Sequence, residues 1–136
     1  MDILKAMKLA SAGMQVQSTR MRVVAENLAN ADTRPEKPGE DPYRRKVITF
    51  KNTLDSELGI DRVRVDRIRA DRTEFEKKYD PGHPAADEKG YVQVPNVKAM
   101  IEMMDLKEAQ RSFEANLTVI QAAKSMLQKT IDLLRV

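Results

Sequence analysis

The chain of 136 residues is long enough for one domain but short for two well-packed ones. Hydrophobic residues make up 41% of it, yet only 4% are aromatic and eight are methionine, which favours thin helix-on-helix packing over a large globular core. The net charge of +3 is too weak by itself to indicate a nucleic-acid partner, the lack of cysteine excludes disulfides and thiolate metal sites, and no apolar run approaches the ~20 residues of a membrane span.

The first predicted element is a long helix over residues 2–30. Its apolar side chains recur at alternating steps of four and three, which is the a/d pattern of a coiled coil. The helix is expected to end near Asn30, because Pro35 and other loop-forming residues follow it. The segment lacks the unbroken apolar stretch of a cleavable signal peptide, so we expect any export to proceed without one. The residues assigned here to helix pairing are Met7, Met14, Met21 and Leu28.

Residues 33–94 are predicted to form a small β-rich insert with flexible loops. The first part, 33–42, contains three prolines and a glycine and is expected to be a loop. Tyr43–Phe50 alternates and is rich in β-branched residues, which predicts a strand. Residues 52–58 are expected to form a short helix or a turn that ends at Gly59.

A short repeat, DRVRVDRIRADR over residues 61–72, also predicts a strand. Side chains of a strand alternate between its two faces, so a period of five would place Ile68 on the face opposite Val63. A bulge or a turn near Asp66 would return both to one apolar face, and we therefore expect an irregularity there.

The last third of the chain is predicted to contain a loop, a short strand and a second long helix. Glu74–Lys89 is polar and includes two prolines, so it is expected to be a mobile loop that leads to a strand at Tyr91–Val94. From Asn96 to Leu134 apolar residues recur at intervals of seven without an interrupting glycine or proline, which predicts one helix. The residues assigned here to helix pairing are Leu106, Phe113, Ile120, Leu127 and Leu134.

These elements predict a mainly α fold with a small β insert, in which the long terminal helices pair as an antiparallel coiled coil. The domain boundaries are then 1–32 for the N-terminal helix, 33–94 for the insert and 95–136 for the C-terminal helix. Each helix carries a second apolar row beside the first, so that two adjacent faces are apolar. One face suffices for the partner helix; the second packs either on the insert or on a neighbouring subunit, and we favour the subunit. The residues assigned to this subunit interface are Leu9, Val16, Val23, Val119, Met126 and Leu133.

The sequence contains little that indicates catalysis. The only histidine, His83, lies in the polar loop, and no phosphate loop, nucleophile elbow or paired carboxylates in an apolar setting occur. We therefore expect no enzyme, no metal or other cofactor and no small-molecule substrate. The arginines of residues 62–72 allow one alternative, a helical module that binds nucleic acid. Aspartates alternate with these arginines, however, which is typical of a solvated or subunit-contact surface, so nucleic acid is not expected as a partner.

Several segments resemble a known family. The stretch ENLANADT at Glu26–Thr33 is similar to the signature of bacterial flagellar rod proteins and related axial proteins. Its motif residues here are Asn27, Leu28, Ala29, Asn30, Asp32 and Thr33. The segments Asp41–Lys46, Gly90–Val92, Pro95–Val97, Arg111–Asn116 and Ala123–Met126 resemble the proximal rod proteins of that family in particular.

The resemblance implies a structural subunit of the flagellar basal-body rod. In such a subunit the terminal helices pair as a coiled coil that lines the inner tube, and the rod transmits motor torque and passes later export substrates. The implied partners are copies of the chain, other rod proteins, the rod-to-ring adaptor and the flagellar type III export apparatus. The implied location is the rod in the periplasm of a Gram-negative cell, reached without a cleaved signal peptide.

Overall fold

The computed structural model describes residues 2–57 and 59–134. In chain order the elements are helix α1 (Ile3–Ala29), strands β1 (Lys46–Asp55), β2 (Ile60–Ala70), β3 (Glu76–Tyr79) and β4 (Tyr91–Val94), and helix α2 (Ala99–Leu134). The predicted class is confirmed in its coarse form, because two long helices pack together and the strands form two small sheets, β1–β2 and β3–β4. Contacts divide the chain into two compact units, and each unit contains part of both helices.

Unit 1 consists of the described residues in 1–21, 49–67 and 107–136. Its buried side chains are small, with Ala10, Val16, Ala109 and Ala123 as examples. Small residues let two helices approach closely, which suits a thin interface better than a thick core. The strands of this unit run antiparallel, because the Thr49 hydroxyl bonds the Arg67 carbonyl while Asp55, farther along β1, pairs with Arg62, earlier in β2.

Unit 2 consists of residues 22–48 and 68–106. It contains the end of α1, the start of α2 and the antiparallel pair β3–β4, in which Glu76 lies opposite Val94 and Tyr79 opposite Tyr91. Strand β3 lies within the segment Glu74–Lys89, predicted to be a mobile loop, so that prediction is wrong for residues 76–79. The sequence of β3 does not alternate between apolar and polar residues, and all four of its residues are exposed. The buried side chain of this sheet is Val92 of β4.

The connection between β3 and β4 is held by hydrogen bonds. The backbone nitrogen of Asp80 donates to the carbonyl oxygen of Gly90, and the Asp87 carboxylate accepts hydrogen bonds from the backbone nitrogens of Lys89 and Tyr91. Gly90 has a φ of +80°, and a Cβ there would lie 3.0 Å from the Tyr79 ring, so this position requires glycine. An ion pair of 2.6 Å between Arg34 and Asp80 attaches the connection to the segment after α1.

The structure changes two further predictions in the insert. Strand β1 begins at Lys46 and continues to Asp55, so residues 52–55 are strand and not helix. The turn alternative is observed at residues 56–57, and Leu58 lies outside the described residues. Strand β2 continues through Asp66 without a turn, and Ile68 is exposed. The turn alternative near Asp66 is therefore wrong, whereas a bulge there stays a prediction. A single exposed isoleucine is a common feature of protein surfaces.

Both helix starts differ slightly from expectation. α1 is capped by Asp2, whose Oδ1 accepts a hydrogen bond of 3.1 Å from the backbone nitrogen of Leu4. α2 starts at Ala99 and not at Asn96, and its first backbone hydrogen bonds run from Ile101 and Glu102 to the Lys98 carbonyl.

Candidate functional site

The side chain of Asn27 lies at the centre of a buried polar cluster in unit 2. It is 1% exposed, and its amide nitrogen donates to the Lys46 carbonyl at 2.8 Å and to Oε2 of Glu102 at 3.0 Å. Its amide oxygen accepts hydrogen bonds from the Lys46 backbone nitrogen at 2.8 Å and the Tyr43 hydroxyl at 2.9 Å. Every donor and acceptor of the amide is therefore used. Because Asn27 bonds both backbone groups of Lys46, it attaches the end of α1 to the first residue of β1.

Glu102, in the first turn of α2, is the buried charge of the same cluster. It is 1% exposed, and its Oε1 accepts a 2.6 Å hydrogen bond from Nε of Arg45. The Arg45 guanidinium also lies 3.6 Å from Asp71 and 3.9 Å from Asp105. A buried carboxylate is tolerated only when it is paired and hydrogen-bonded, and Arg45 with Asn27 meets both conditions here.

Asn96, between β4 and α2, joins three segments of unit 2. Its Oδ1 accepts a hydrogen bond from the backbone nitrogen of Arg45, and its Nδ2 donates to the Thr73 hydroxyl at 2.9 Å. The backbone nitrogen of Asp71 in turn donates to the carbonyl of Arg45 at 2.7 Å. We refer to the whole cluster as the polar junction; it comprises Asn27, Tyr43, Arg45, Lys46, Asp71, Asn96 and Glu102.

The protonation states in the polar junction favour these bonds. Burial, followed by the charge of Glu26, raises the pKa of Tyr43 and keeps its hydroxyl available as a donor. Burial acts to lower the pKa of Arg45, but the hydrogen bond to Glu102 and the nearby carboxylates outweigh it, and the net pKa is raised. The pKa of Lys46 is raised mainly by its hydrogen bond to Glu26.

The other motif residues lie at the end of α1. The Asn30 side chain donates to the Glu26 carbonyl at 2.8 Å and accepts a bond of 3.3 Å from the Thr33 hydroxyl, which closes the last turn of the helix. The motif therefore divides into a junction residue, Asn27, and a capping pair. Of the remaining motif residues, Leu28 is half-buried and Ala29 and Asp32 are exposed.

The structure changes the assignment of two valines on α1. Val16 and Val23, predicted to face a neighbouring subunit, are only 4% and 2% exposed and are therefore buried by the chain itself. In unit 1, Val16 lies one turn from Gly13, where a Cβ would come within 2.9 Å of the Asn116 side chain of α2. Because glycine permits this close approach, the side of α1 that carries Gly13 and Val16 turns towards α2 in unit 1. The subunit-interface prediction is therefore wrong for Val16, and burial shows the same for Val23 in unit 2.

The predicted helix-pairing residues occupy intermediate positions. Leu134 is the exception, at 80% exposed. α2 has 36 residues and α1 has 27, so the last turns of α2 have no partner helix within the described chain. The assignment of the others to helix pairing stays a prediction; the half-buried ones are Met7, Met14, Met21, Leu28, Leu106, Phe113, Ile120 and Leu127.

The second apolar row of α2 is exposed in unit 1. Val119, Met126 and Leu133, predicted to contact a neighbouring subunit, all lie on this surface, and Leu9 of α1 is also exposed. Apolar side chains exposed in a contiguous row are characteristic of an interaction surface. Their contact with a subunit stays a prediction at this point.

The arginine-rich strand β2 carries charge that is partly neutralised. In unit 1 Arg62 pairs with Asp55 at 3.0 Å, and Asp66 pairs with Lys51 at 3.3 Å and Arg67 at 3.5 Å. Within residues 2–57 and 59–134 no group of His, Asp or Glu side chains has the arrangement of a metal site. In the same described part of the chain, neither helix has the length and apolar character that crossing a membrane requires.

Comparison with known proteins connects these features to one family. A family model described as flagella basal body rod protein matches residues 7–34, and one described as flagellar basal body rod FlgEFG protein C-terminal matches residues 88–133. The flagellar basal-body rod protein FlgC of Agrobacterium fabrum is 51% identical over 136 residues, which cover 99% of this chain and 98% of the relative. The chain belongs to the FlgC family of flagellar basal-body rod proteins. It is a structural protein of the basal-body rod.

More distant members of the FlgC family cover the chain just as completely. The FlgC proteins of Escherichia coli O157:H7 and Bacillus subtilis are each 37% identical over 98% of this chain, and they are covered to 98% and 99% of their own length. The two matched family models together include α1 from Met7 with the motif at its end, β4, and α2 up to Leu133. Nothing in these comparisons supports the nucleic-acid alternative.

Sequence reasoning missed most of the polar junction. It gave no role to Arg45 or Glu102, although Glu102 stands four residues before Leu106 and so falls on the apolar seam of α2. A carboxylate at a seam position requires a buried partner, and this is the signal that would have indicated an arginine nearby. The arginine itself could not be selected from sequence, since Arg44 stands beside it and instead packs on the Phe75 ring.

The polar junction and the β3–β4 connection should make the protein sensitive to acid. Hydrogen bonds from the backbone nitrogen of Thr73 lower the pKa of Asp71, and those from Tyr91 and Lys89 lower the pKa of Asp87. A lowered pKa stabilises the fold above the ordinary aspartate value of about 3.9, and this contribution is lost as pH falls through the folded-state value. The melting temperature should therefore decrease below about pH 4.

A pH series of thermal unfolding for the wild type and for Asp87→Asn checks this expectation. The amide can still accept hydrogen bonds but does not titrate, so the variant should show a shallower acid dependence. An identical pH dependence in both proteins would contradict the assignment to Asp87.

Proposed function

We propose that this protein assembles into the flagellar rod through its terminal helices, which pair as an antiparallel coiled coil and present exposed apolar side chains of α2 to neighbouring subunits. One observation carries the proposal: in unit 1, an apolar row of α2 is exposed to solvent, without cover from the chain itself. The large apolar side chains of this row are Val119, Met126 and Leu133, whereas the exposed Leu117 and Ile131 lie on another side of the helix.

The antiparallel arrangement is supported by two contacts. Gly13, early in α1, lies against Asn116 in the middle of α2, whereas Asn27, at the end of α1, bonds Glu102 at the start of α2. A later residue of one helix therefore meets an earlier residue of the other, as an antiparallel pair requires. Coiled-coil packing around the half-buried methionines is the finer part of the proposal, and methionine suits it because its flexible side chain adapts to irregular neighbours.

The energetic argument for assembly concerns the exposed side of α2. Burying one large aliphatic or methionine side chain contributes about 1.5–3 kcal/mol, so several together supply what a stable contact between subunits needs. In a dilute monomer they remain in contact with water. A subunit that contacts several different rod proteins gains further from Met126, whose side chain repacks more easily than a branched one.

In this proposal each of the three parts of the chain has a role in transmitting torque. Residues 1–32 and 95–136 form the axial core, whose helices surround the export channel, and residues 33–94 form the insert outside it. Torque that acts on the insert has to reach the helices through a rigid connection between the insert and the helices. The polar junction provides it within unit 2, because Arg45 and Asn27 attach the insert to both helices.

The partners and the location follow from the same proposal. The subunit contacts copies of itself, other rod proteins and the rod-to-ring adaptor, and it is transported by the flagellar type III export apparatus. Its place is the periplasmic rod, which it reaches without cleavage of a signal peptide. No enzymatic activity, cofactor, small-molecule substrate or nucleic acid belongs to this function.

Substituting Val119 or Met126 by aspartate should abolish rod assembly and swimming. Each change places a charge where a neighbouring subunit has to exclude water, and the cost of burying that charge is prohibitive. The folded monomer should be little affected, within about 0.5 kcal/mol, because both side chains are exposed in it. Motility in soft agar, basal-body isolation and denaturant unfolding of the purified chain measure these three outcomes.

Gln121→Asp is the matched control, since Gln121 is exposed on the same helix but is not apolar. It should assemble and swim normally. A photo-crosslinker at Val119 should in addition link the chain to a rod protein in isolated basal bodies. Normal swimming of both Val119→Asp and Met126→Asp would contradict the proposed assembly face.

A further inference from the structure

The first turns of α2 are apolar on the outside and charged on the inside. Glu102 is fully buried in the polar junction, whereas the apolar residues around it point into solvent. Met100 and Met104 are 71% and 66% exposed, and Ile101 and Met103 are also exposed. A surface helix usually buries its apolar side chains and exposes its charged ones. Three methionines close together form a deformable apolar patch, a feature of surfaces that accept more than one partner.

A positively charged groove lies beside this patch in unit 2. It is open to solvent, has a volume of about 830 Å³ and is lined by Arg45, Arg69, Asp71 and Arg72. Arg45 is already paired with Glu102 and Asp71 within the polar junction. Arg69 and Arg72 are exposed and have no ion-pair partner within residues 2–57 and 59–134. The groove therefore offers two guanidinium groups that are available to carboxylates of another molecule.

The groove and the methionine patch are continuous. A second depression of about 320 Å³ is lined by Arg45 and Asp71 from the groove and by Ile101 from the patch, with Lys98 between them. Lys98, which lines this depression, is exposed and positive like the arginines of the groove. Charge and apolar surface therefore form one site and not two separate features.

We propose that the methionine patch of α2 and the arginine groove together form a docking surface for an acidic amphipathic segment of a partner protein. Apolar side chains of the segment pack on Met100, Ile101 and Met104, while its carboxylates bind Arg69 and Arg72. This inference rests on the proposed function, since it states the chemistry of one neighbour that the assembled subunit contacts. The surface differs from the row of Val119 and Met126, which belongs to unit 1.

Charge complementarity favours an acidic protein segment over a nucleic acid. Nucleic acid requires a positive field that is not cancelled, and in β2 the neighbouring Arg62 and Arg67 are already paired with aspartates. A phosphate backbone also provides nothing to cover exposed Met100 and Met104, whereas an amphipathic segment satisfies the patch and the groove at once. The two free arginines are suited to bidentate binding of carboxylates.

A peptide titration with the full-length chain tests the proposal. The probe is a synthetic helix-forming peptide of leucine and glutamate, and binding is followed by fluorescence anisotropy at two salt concentrations. Binding should weaken as salt rises, and a peptide with lysine in place of every glutamate should bind at least about tenfold more weakly. Arg69→Glu combined with Arg72→Glu, and separately Met104→Asp, should each reduce affinity about tenfold.

Arg64→Glu and Gln110→Asp are matched controls, because both positions are exposed and lie outside the patch and the groove. Neither should change the affinity. Equal binding of the acidic and basic peptides would overturn the proposal, as would equal binding of polyglutamate or a single-stranded oligonucleotide, since a simple polyanion site would then suffice. An absence of binding would also overturn it.

Assembly separates this inference from the proposed function. If Val119→Asp blocks rod assembly while the Arg69→Glu and Arg72→Glu double variant assembles normally, the docking surface is refuted and the assembly role stands. If Val119→Asp assembles normally but peptide binding depends on Arg69 and Met104, the assembly face is refuted and the docking surface stands.

Discussion

Replacing Glu102 by leucine should lower the free energy of unfolding by about 3 kcal/mol, the largest effect that we expect from one substitution. Leucine fits the apolar seam of α2, but it leaves the Nε of Arg45 and one hydrogen of the Asn27 amide without their acceptor. Breaking a buried pair by removing one partner costs more than the pair contributes, because the remaining group stays desolvated. The expected loss of stability is near the lower limit for breaking a buried ion pair, because Arg45 retains its contacts to Asp71 and Asp105.

Denaturant unfolding of the purified chain measures this loss, and Glu108→Leu is the matched control. Glu108 is exposed on the same helix, so its substitution should change stability by no more than about 0.5 kcal/mol. A double-mutant cycle with Asn27→Leu sharpens the test. The two losses should be clearly less than additive, because either change breaks the same network. Fully additive losses would show that Asn27 and Glu102 act independently and would contradict the polar junction as a unit.

Replacing Gly13 by valine should destabilise unit 1 by about 2 kcal/mol, whereas alanine at the same position should be nearly neutral. The new Cβ lies 2.9 Å from the amide nitrogen of Asn116, so this side chain has to move in both variants. For alanine the movement is offset by about 1 kcal/mol of helix propensity gained over glycine. Valine adds two methyl groups that a rotation of Asn116 cannot accommodate, and Asn116 then also loses its hydrogen bond to the Ser112 carbonyl.

The rescue of this defect identifies its cause. Asn116→Ala should restore most of the stability of the Gly13→Val variant, because it removes the group that the valine meets. Combined with Gly13→Ala, it should give a chain more stable than the wild type by up to about 1 kcal/mol. Thermal unfolding of the wild type, the Gly13→Val variant and the two double variants measures these differences. A valine variant that Asn116→Ala does not improve would show that the close contact in unit 1 is not the source of the loss.

The regular elements were accessible from the sequence because their signals are local. Steps of three and four predicted both helices to within a few residues, and β4 was predicted with its observed ends. Strand β3 was missed because its sequence, EKKY, has no alternation of apolar and polar residues, and only pairing with β4 makes it a strand. The turn considered near Asp66 rested on apolar patterning alone, and the structure instead continues the strand and exposes Ile68.

Two features required the tertiary structure. Periodicity showed that α1 has two apolar faces, but the close approach of Gly13 to Asn116 decided which face turns inwards and buried Val16. The polar junction could not be predicted from the sequence for a related reason. Asn27, Arg45 and Glu102 are far apart in the chain, and a motif shows that a residue type recurs without showing which group it bonds.

By itself the sequence determined the family, the two long helices and the presence of more apolar helix surface than one partner helix covers. These properties depend on spacing along the chain, which a helix converts directly into faces. The tertiary structure alone decided which apolar side chains remain exposed for other subunits and how the insert is attached to the helices. Both depend on contacts between segments that are distant in sequence. The apolar pattern allows several ways of packing these segments, and one small residue, Gly13, or one buried charge, Glu102, decides which of them forms.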